Sequence, residues 1–345
     1  MKNSLVFIFL FLFCSLNSFP VEMAKPKEGE GIYQFLRSHG RNPVTYYDAF
    51  VELNKDKLGK NHSLMKGVSY ILPPLSSSST RTELSSDKAE KGAELSSGKK
   101  NTFIEPLFGK KYAEYSVQSN QLAGATFYLI SGHGGPDCGA IGYYNGTAIH
   151  EVEYAYDITL RLARNLMMEG ATVYMIIQDK QNGIRDTELL KLNKSKTCRG
   201  KEIPRSQVTR LQQQCDQINA LSSRSKNAYQ RAVFIHLDSR TNKEQVDVFF
   251  YHNEKSVAGK RLANTMRTTF RDQYKKHQPT RGFGGTVSPR NLYVLANTTP
   301  VSLFAELGNI QSSFDQKRFV QSDQRQALAK WMCLGLIADY HNSKK

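Results

Sequence analysis

Two histidines and two carboxylates stand where an α/β fold gathers its ligands. His133 follows the apolar run TFYLIS, inside the loop GHGGPDCGAIG. His236 closes the run AVFIH, Glu306 closes VSLFAE, and Glu151 opens the long helical stretch after the first loop. Ligands of open α/β sheets collect at the carboxyl ends of strands, so the four residues are expected to converge on one rim. Glycines at 132, 134, 135 and 139 let the backbone turn tightly beside whatever His133 holds. Two histidines plus a carboxylate are a common donor set of catalytic zinc, which keeps a fourth position for water. The metal lowers the pKa of that water to ~7 and polarises a carbonyl. A further carboxylate must then carry the water's proton to the leaving amine. Taken singly, each residue has an ordinary structural use, as a hydrogen-bonded histidine or a helix-start carboxylate favoured by the macrodipole. Glu306 is harder to dismiss, because a buried carboxylate needs a partner. Spacing alone leaves open which residue plays which part and which bond is cut.

The surrounding residues must supply the frame. From about residue 120, GATFYLIS, ATVYMIIQD, RAVFIHLDS, DVFFYH, RNLYVL and VSLFAELG read as strands. EVEYAYDITLRLARNLMMEG reads as a helix, with Ala155, Ile158, Leu162 and Leu166 on one face and Gly170 as its stop. AGKRLANTMRTTFRDQY and RQALAKWMCLGLIADYH read as further helices. This alternation predicts an α/β sheet with helices on both faces. Residues 180–206, polar and lysine-rich, read as a surface insertion. Without Cys14, four cysteines remain: Cys138, Cys198, Cys215 and Cys333. A Cys198–Cys215 disulfide is expected, because both lie in one apparent insertion. No CxxC pair exists, which argues against a cysteine-based zinc site.

Ahead of this domain the chain changes character. Lys2 and the apolar run from Leu5 to Cys14 have the form of a signal peptide, with Ser18 at the cleavage point. Residues 1–18 are therefore expected to be a leader, and the protein to be exported to the periplasm or cell envelope. The run is too short to span a bilayer, so no stable membrane insertion is expected. Lipid attachment at Cys14 is a lesser alternative, with bulky Phe13 against it. Residues 28–74 read as a small strand–helix–helix–strand unit. Ile32, Phe35 and Leu36 mark its first helix, Gly40 ends it, and Tyr46, Phe50 and Leu53 mark the second. GVSYILPP reads as its last strand, closed by Pro73. Residues 75–118, with the serine run 76–79, read as a flexible linker, and 119–345 as the catalytic domain. The net charge is +16, with 39% hydrophobic residues, the apolar content of a globular protein. The basic residues are scattered and no nucleic-acid-binding pattern accompanies them, so nucleic acid is not an expected partner. An anionic envelope polymer or membrane surface, or simple solubility, accounts for the charge.

Residues 124–340 resemble the zinc-dependent N-acetylmuramoyl-L-alanine amidases. The carriers are GHGGPDCGAIG, Glu151 at the head of its helix, VFIH ending at His236, and FAELGNIQSSFDQKRF. The resemblance implies a mixed, roughly six-stranded sheet flanked by helices. It implies that His133, Glu151 and His236 bind one zinc ion (Zn2+) and that Glu306 is the catalytic base. The implied reaction is hydrolysis of the amide joining the lactyl group of N-acetylmuramic acid to L-alanine in peptidoglycan, with an activator protein as a possible second partner. Residues 28–74 resemble a LysM module, the small βααβ domain that grips N-acetylglucosamine, through GEGIYQFLRSHG, Asn54 and GVSYILP. Departures also stand out. Glu153 is a rival ligand to Glu151, His150 a neighbour able to support it, and Gln214 stands where the family often carries an arginine. LDSR follows His236 in place of an Ala/Asn-rich stretch, and 180–206 is the candidate for any self-inhibiting segment. A catalytically dead wall-binding protein and a zinc peptidase of the stem peptide are the competing functions.

Overall fold

The computed structural model describes residues 22–27, 30, 32–41, 43–59, 63–74, 102–239 and 245–344. The expected leader 1–18 and the linker up to residue 101 lie outside them. The chain divides into two compact units, residues 1–87 and 88–345, each considered by itself. Among the described residues no helix is long and apolar enough to cross a membrane.

In the first unit, strand β1 (Met23–Ala24) pairs antiparallel with β2 (Tyr70–Ile71), and helices α1 (Ile32–Ser38) and α2 (Pro43–Asn54) lie between them. Strand β1 lies ahead of residue 28, where the small unit was expected to begin. Ile32, Phe35, Leu36, Tyr47, Phe50, Tyr70 and Leu72 form its core. Of the predicted α2 stripe, Phe50 is buried and Leu53 is exposed. Gly40 ends α1 at φ 72°, as expected of a glycine cap. Asn54 joins the end of α2 to β2. Its Nδ2 donates to the carbonyls of Phe50 and Ile71 at 2.8 Å each, and its Oδ1 accepts from Ile71 N at 2.7 Å.

The second unit opens with a hairpin, β3 (Thr102–Ile104) and β4 (Glu114–Ser116), joined through a 3-10 turn at Pro106–Phe108. Then come β5 (Ala125–Ser131), a hairpin of β6 (Ile141–Tyr144) and β7 (Thr147–His150), and α3 (Glu151–Met168). Short strands β8 (Thr172–Met175), β9 (Ile177–Gln178), β10 (Thr197–Cys198) and β11 (Lys201–Glu202) precede α4 (Gln207–Ser222). The chain closes with β12 (Tyr229–Asp238), β13 (Phe249–His252), α5 (Val257–His277), β14 (Thr286–Pro289), α6 (Tyr293–Asn297), β15 (Val301–Asn309), α7 (Ser313–Val320) and α8 (Ser322–Ser343). The main sheet runs β14-β13-β15-β12-β5-β8, parallel except for the β13–β15 pair, so it is mixed as expected.

Strand β5 is buried at every position, as strands covered on both faces must be. Tyr128 and Ile130 of β5 with Ala232 and Phe234 of β12 pack on Cys215 and Ile218 of α4. Helices α3, α5 and α8 cover the opposite face. Helix α3 is buried almost all round, beyond its predicted apolar face, and its polar side chains are accordingly paired. Asp157 Oδ2 accepts from Arg161 Nε at 2.8 Å and from Arg325 Nε at 2.6 Å, and its Oδ1 from Arg185 N at 2.7 Å.

Four expectations are corrected. RNLYVL is not a strand: it holds α6, and β14 takes its place at the sheet edge. A short apolar run does not distinguish strand from helix, and TVSP has no apolar alternation to betray it. Cys198 and Cys215 are free thiols packed in the core, not a disulfide; burial pushes the Cys198 thiol up to about 11. Residues 180–206 are not a surface appendage. Strands β10 and β11 extend β9 into a small sheet, and Cys198 and Ile203 enter the core. The stretch 102–118, expected as linker, is folded onto α3: Arg164 donates to the carbonyls of Tyr112 and Glu114 at 3.3 and 3.2 Å.

Asp186 ties this hairpin down. It accepts from Lys111 Nζ at 2.5 Å, Tyr112 Oη at 2.6 Å and Arg161 Nη2 at 3.0 Å. Burial alone would raise its pKa, but these three donors outweigh burial and hold it at about 2. A depressed carboxylate stabilises the fold above its unfolded pKa, and that contribution fades as pH falls from ~4 toward 2. Asp186→Asn is expected to cost about 1 kcal/mol at neutral pH, roughly 2–4 °C in Tm, since solvent screens this half-exposed group. The gap should close as melts are repeated at lower pH. An equal gap at pH 7 and pH 3 would contradict this account.

Candidate metal centre

Three chain segments meet at the end of β5. The loop after it brings His133, held at φ 65°, a value that side-chain-bearing residues rarely adopt. Helix α3 brings Glu151 as its first residue. Strand β12 brings His236, which lies opposite Glu306 in the parallel register with β15. Neither residue ends its strand as expected: both strands run on for two or three residues.

Glycine is required at two points of the loop. A Cβ at Gly132 would lie 2.4 Å from His236 Nδ1. At Gly139, with φ +69°, it would lie 2.6 Å from His133 Cδ2 and 2.8 Å from Glu151 Oε2. Gly132 and Gly139 are thus the imprint of three closely packed side chains.

Glu151 is the hub. Oε2 lies 3.0 Å from His133 Nε2 and accepts from Ala140 N at 2.9 Å. Oε1 lies 2.9 Å from His236 Nδ1 and accepts from Leu237 N at 3.0 Å. The register of β12 with β15 shifts between His236 and Asp238, a bulge that leaves the Leu237 N–H for Glu151. Burial would raise the Glu151 pKa, but the two histidines pull it far below the usual carboxylate range.

His133 is oriented from behind. Its Nδ1 donates to Asp137 Oδ2 at 2.8 Å, which leaves Nε2 facing the centre. Asp137 also accepts from Arg210 Nη2 of α4 at 2.5 Å. Burial pulls the His133 pKa down, but Asp137 and Glu151 outweigh it and lift it to about 10. Its bond to His133, chiefly, holds Asp137 at about 2. His236 shifts the other way, lowered mainly by burial, with its ring stacked on Phe304 at 4.3 Å.

The donor atoms of His133, Glu151 and His236 lie within 4.8 Å of one another. One cation with bonds of ~2 Å spans such a spacing, and a His-Glu-His set suits zinc. Glu306 completes the picture. Its Oε2 is sealed from solvent and lacks a partner among the described residues. Burial first, then the charges of Glu151 and Asp238, push its pKa well above the ordinary value. A cavity of about 180 Å³ opens beside the two histidines, lined also by Arg210, Leu211, Gln214 and Phe304.

The structure also separates rivals. Glu153 points away from the trio, into Lys196 Nζ at 2.5 Å, Arg185 Nη2 at 2.8 Å and Asn193 N at 2.8 Å. His150 makes no hydrogen bond to Glu151, and its Nδ1 is buried without a partner among the described residues. Sequence reasoning missed Arg210 and looked at Gln214 instead. The two are one helical turn apart on the same face of α4, and both line the cavity.

The profile of the N-acetylmuramoyl-L-alanine amidase family matches residues 128–338, which include all four residues. The chain belongs to that family. Solved structures similar to this amidase include the CwlD amidase from Clostridioides difficile in complex with the GerS lipoprotein, at 19% identity and TM-score 0.46, covering 63% of this chain and 98% of that one. AmiC2 of Nostoc punctiforme gives 19% identity and TM-score 0.46, over 64% and 99% of the two chains. An amidase from Clostridium difficile 630 gives 20% and 0.47, over 66% and 100%. A search of curated proteins finds no match.

If Asp137 orients His133 as a ligand, Asp137→Ala in this amidase should weaken metal binding by on the order of 10–100-fold. Competition with a chromophoric chelator measures this. Unchanged affinity would mean that the contact matters to the fold alone.

Proposed function

We propose that this amidase hydrolyses the bond between N-acetylmuramic acid and L-alanine in peptidoglycan with one zinc ion held by His133, Glu151 and His236, and with Glu306 as general base. The observation that carries this reading is Glu306, whose half-buried carboxylate has one oxygen sealed from solvent and without a partner among the described residues, in register with His236 of a convergent His-Glu-His trio. When bound, zinc polarises the scissile carbonyl and acidifies the attacking water. The remaining work falls to the chain. Asp137 fixes the His133 ring, and the glycines admit both rings at close range. Glu306 takes the proton of the attacking water and delivers it to the departing L-alanine nitrogen. A carboxylate whose pKa is raised by burial suits that relay, because it holds a transferred proton more readily than an exposed carboxylate does.

Export and wall targeting belong to the same reading. The leader-like residues 1–18 support export to the periplasm or envelope. The β1-α1-α2-β2 order of the first unit supports a LysM-like glycan grip that raises the enzyme's local concentration at the wall.

Purified sacculi digested by wild type and by Glu306→Ala, with and without chelator, provide the test. Wild type should expose L-alanine amino termini, chelator should abolish this, and Glu306→Ala should slow it by roughly 10²–10⁴-fold. Chelator-resistant release, or cleavage inside the stem peptide, would overturn the assignment.

A further inference from the structure

A second cavity, of about 550 Å³, lies beside the metal loop. One wall is Gly135 and Pro136, two and three residues after His133; the other is drawn from residues 194–205. Resting on the amidase reading above, we propose that this cavity receives the stem peptide of the substrate, with Lys194 and Arg205 pairing with its carboxylates.

The wall is built rather than draped. Lys196 is fully buried, bound to Glu153 on α3 at 2.5 Å and set 3.6 Å from Asp179. Asn193 donates to Glu153 through its backbone and to Asp179 through its side chain, both at 2.8 Å. Ile203 packs against the loop so tightly that a Cβ would meet it at 2.9 Å from Gly134 and at 2.8 Å from Gly135. The segment is therefore pinned both to the helix that carries Glu151 and to the loop that carries His133. A preorganised wall of this kind lowers the cost of ordering on binding.

Its charges are divided. Lys196 is spent on Glu153, whereas Lys194 and Arg205 are exposed and their side chains form no hydrogen bond or ion pair among the described residues. Glu202 is the one acid of the lining. A surface with two free cations and one acid suits a peptide that carries carboxylates beside an amine, more than a uniform polyanion. Position agrees. Gly135 and Pro136 of its wall follow His133 by two and three residues, at most about 7–11 Å of chain, a separation that two or three residues of an extended stem peptide also span. The smaller cavity by α4, lined by both histidines, then remains for the glycan side of the bond.

The test uses the metal-loaded full chain and two soluble muropeptides, identical except that the second stem residue has a free α-carboxylate in one and a carboxamide in the other. KM and kcat are measured for wild type, for Lys194→Ala/Arg205→Ala, and for Lys201→Ala, an exposed lysine of the same segment outside the cavity lining. The double variant should raise KM for the free acid by roughly three- to tenfold, as two solvent-screened ion pairs would, with kcat unchanged. KM for the carboxamide should move little, and Lys201→Ala should match wild type. An unchanged KM, or an equal rise with both substrates, overturns the proposal and leaves the amidase reading intact. Wild type that releases no L-alanine-terminated peptide from either substrate removes both.

Discussion

One buried carboxylate holds the centre together. Glu151 sits at the first residue of an 18-residue helix, and each of its oxygens meets one backbone N–H and one imidazole nitrogen. Taking a charge of this kind out of water costs on the order of several kcal/mol unless such partners are supplied. The helix N-terminus adds a favourable field. The four donors come from the glycine loop and from β12. The loop, the helix and the strand are thus fixed against one another by a single side chain, and the histidines inherit their placement from it.

The same economy runs along α3. Glu153, Asp157 and Arg161 lie four residues apart, and each is buried and paired. A helix with that pattern usually turns its charged stripe to water. Here the stripe is roofed by residues 185–196 and by Arg325 of α8, which also donates to the carbonyls of Arg185 and Thr187 at 2.7 and 3.0 Å. Removing one member of such a pair strands its partner's charge in the interior, so the roof and the helix depend on each other.

Much of this was legible in the sequence, and the reasons are physical. Fully buried strands such as β5 announce themselves as unbroken apolar runs, and the glycines at 132 and 139 mark crowding that no other residue tolerates. His133, His236 and Glu306 stood at the close of apolar runs and Glu151 at the head of a helical stretch, and the structure brings the two histidines and Glu151 together with Glu306 beside His236, although both strands run on past their residue. What stayed hidden depends on tertiary partners. Lysine-rich 180–206 reads as solvent-facing because nothing local reveals that Lys196 has Glu153 to neutralise it. Edge strand β14 lacks apolar alternation, α6 is too short to show a period, and the hairpin at 102–116 is secured by Arg164 and Asp186 from far along the chain. Two cysteines close in sequence looked like a bridge, yet both serve as small apolar fillers.

The pairing of His236 with Glu306 across β12 and β15 has a last consequence. Side chains alternate between the two sides of a sheet, so gaining or losing one residue in β15 ahead of Glu306 would rotate its carboxylate into the opposite layer. The distance between Glu306 and His236 is thus kept by backbone ladder spacing, a ruler that side-chain substitution does not reach.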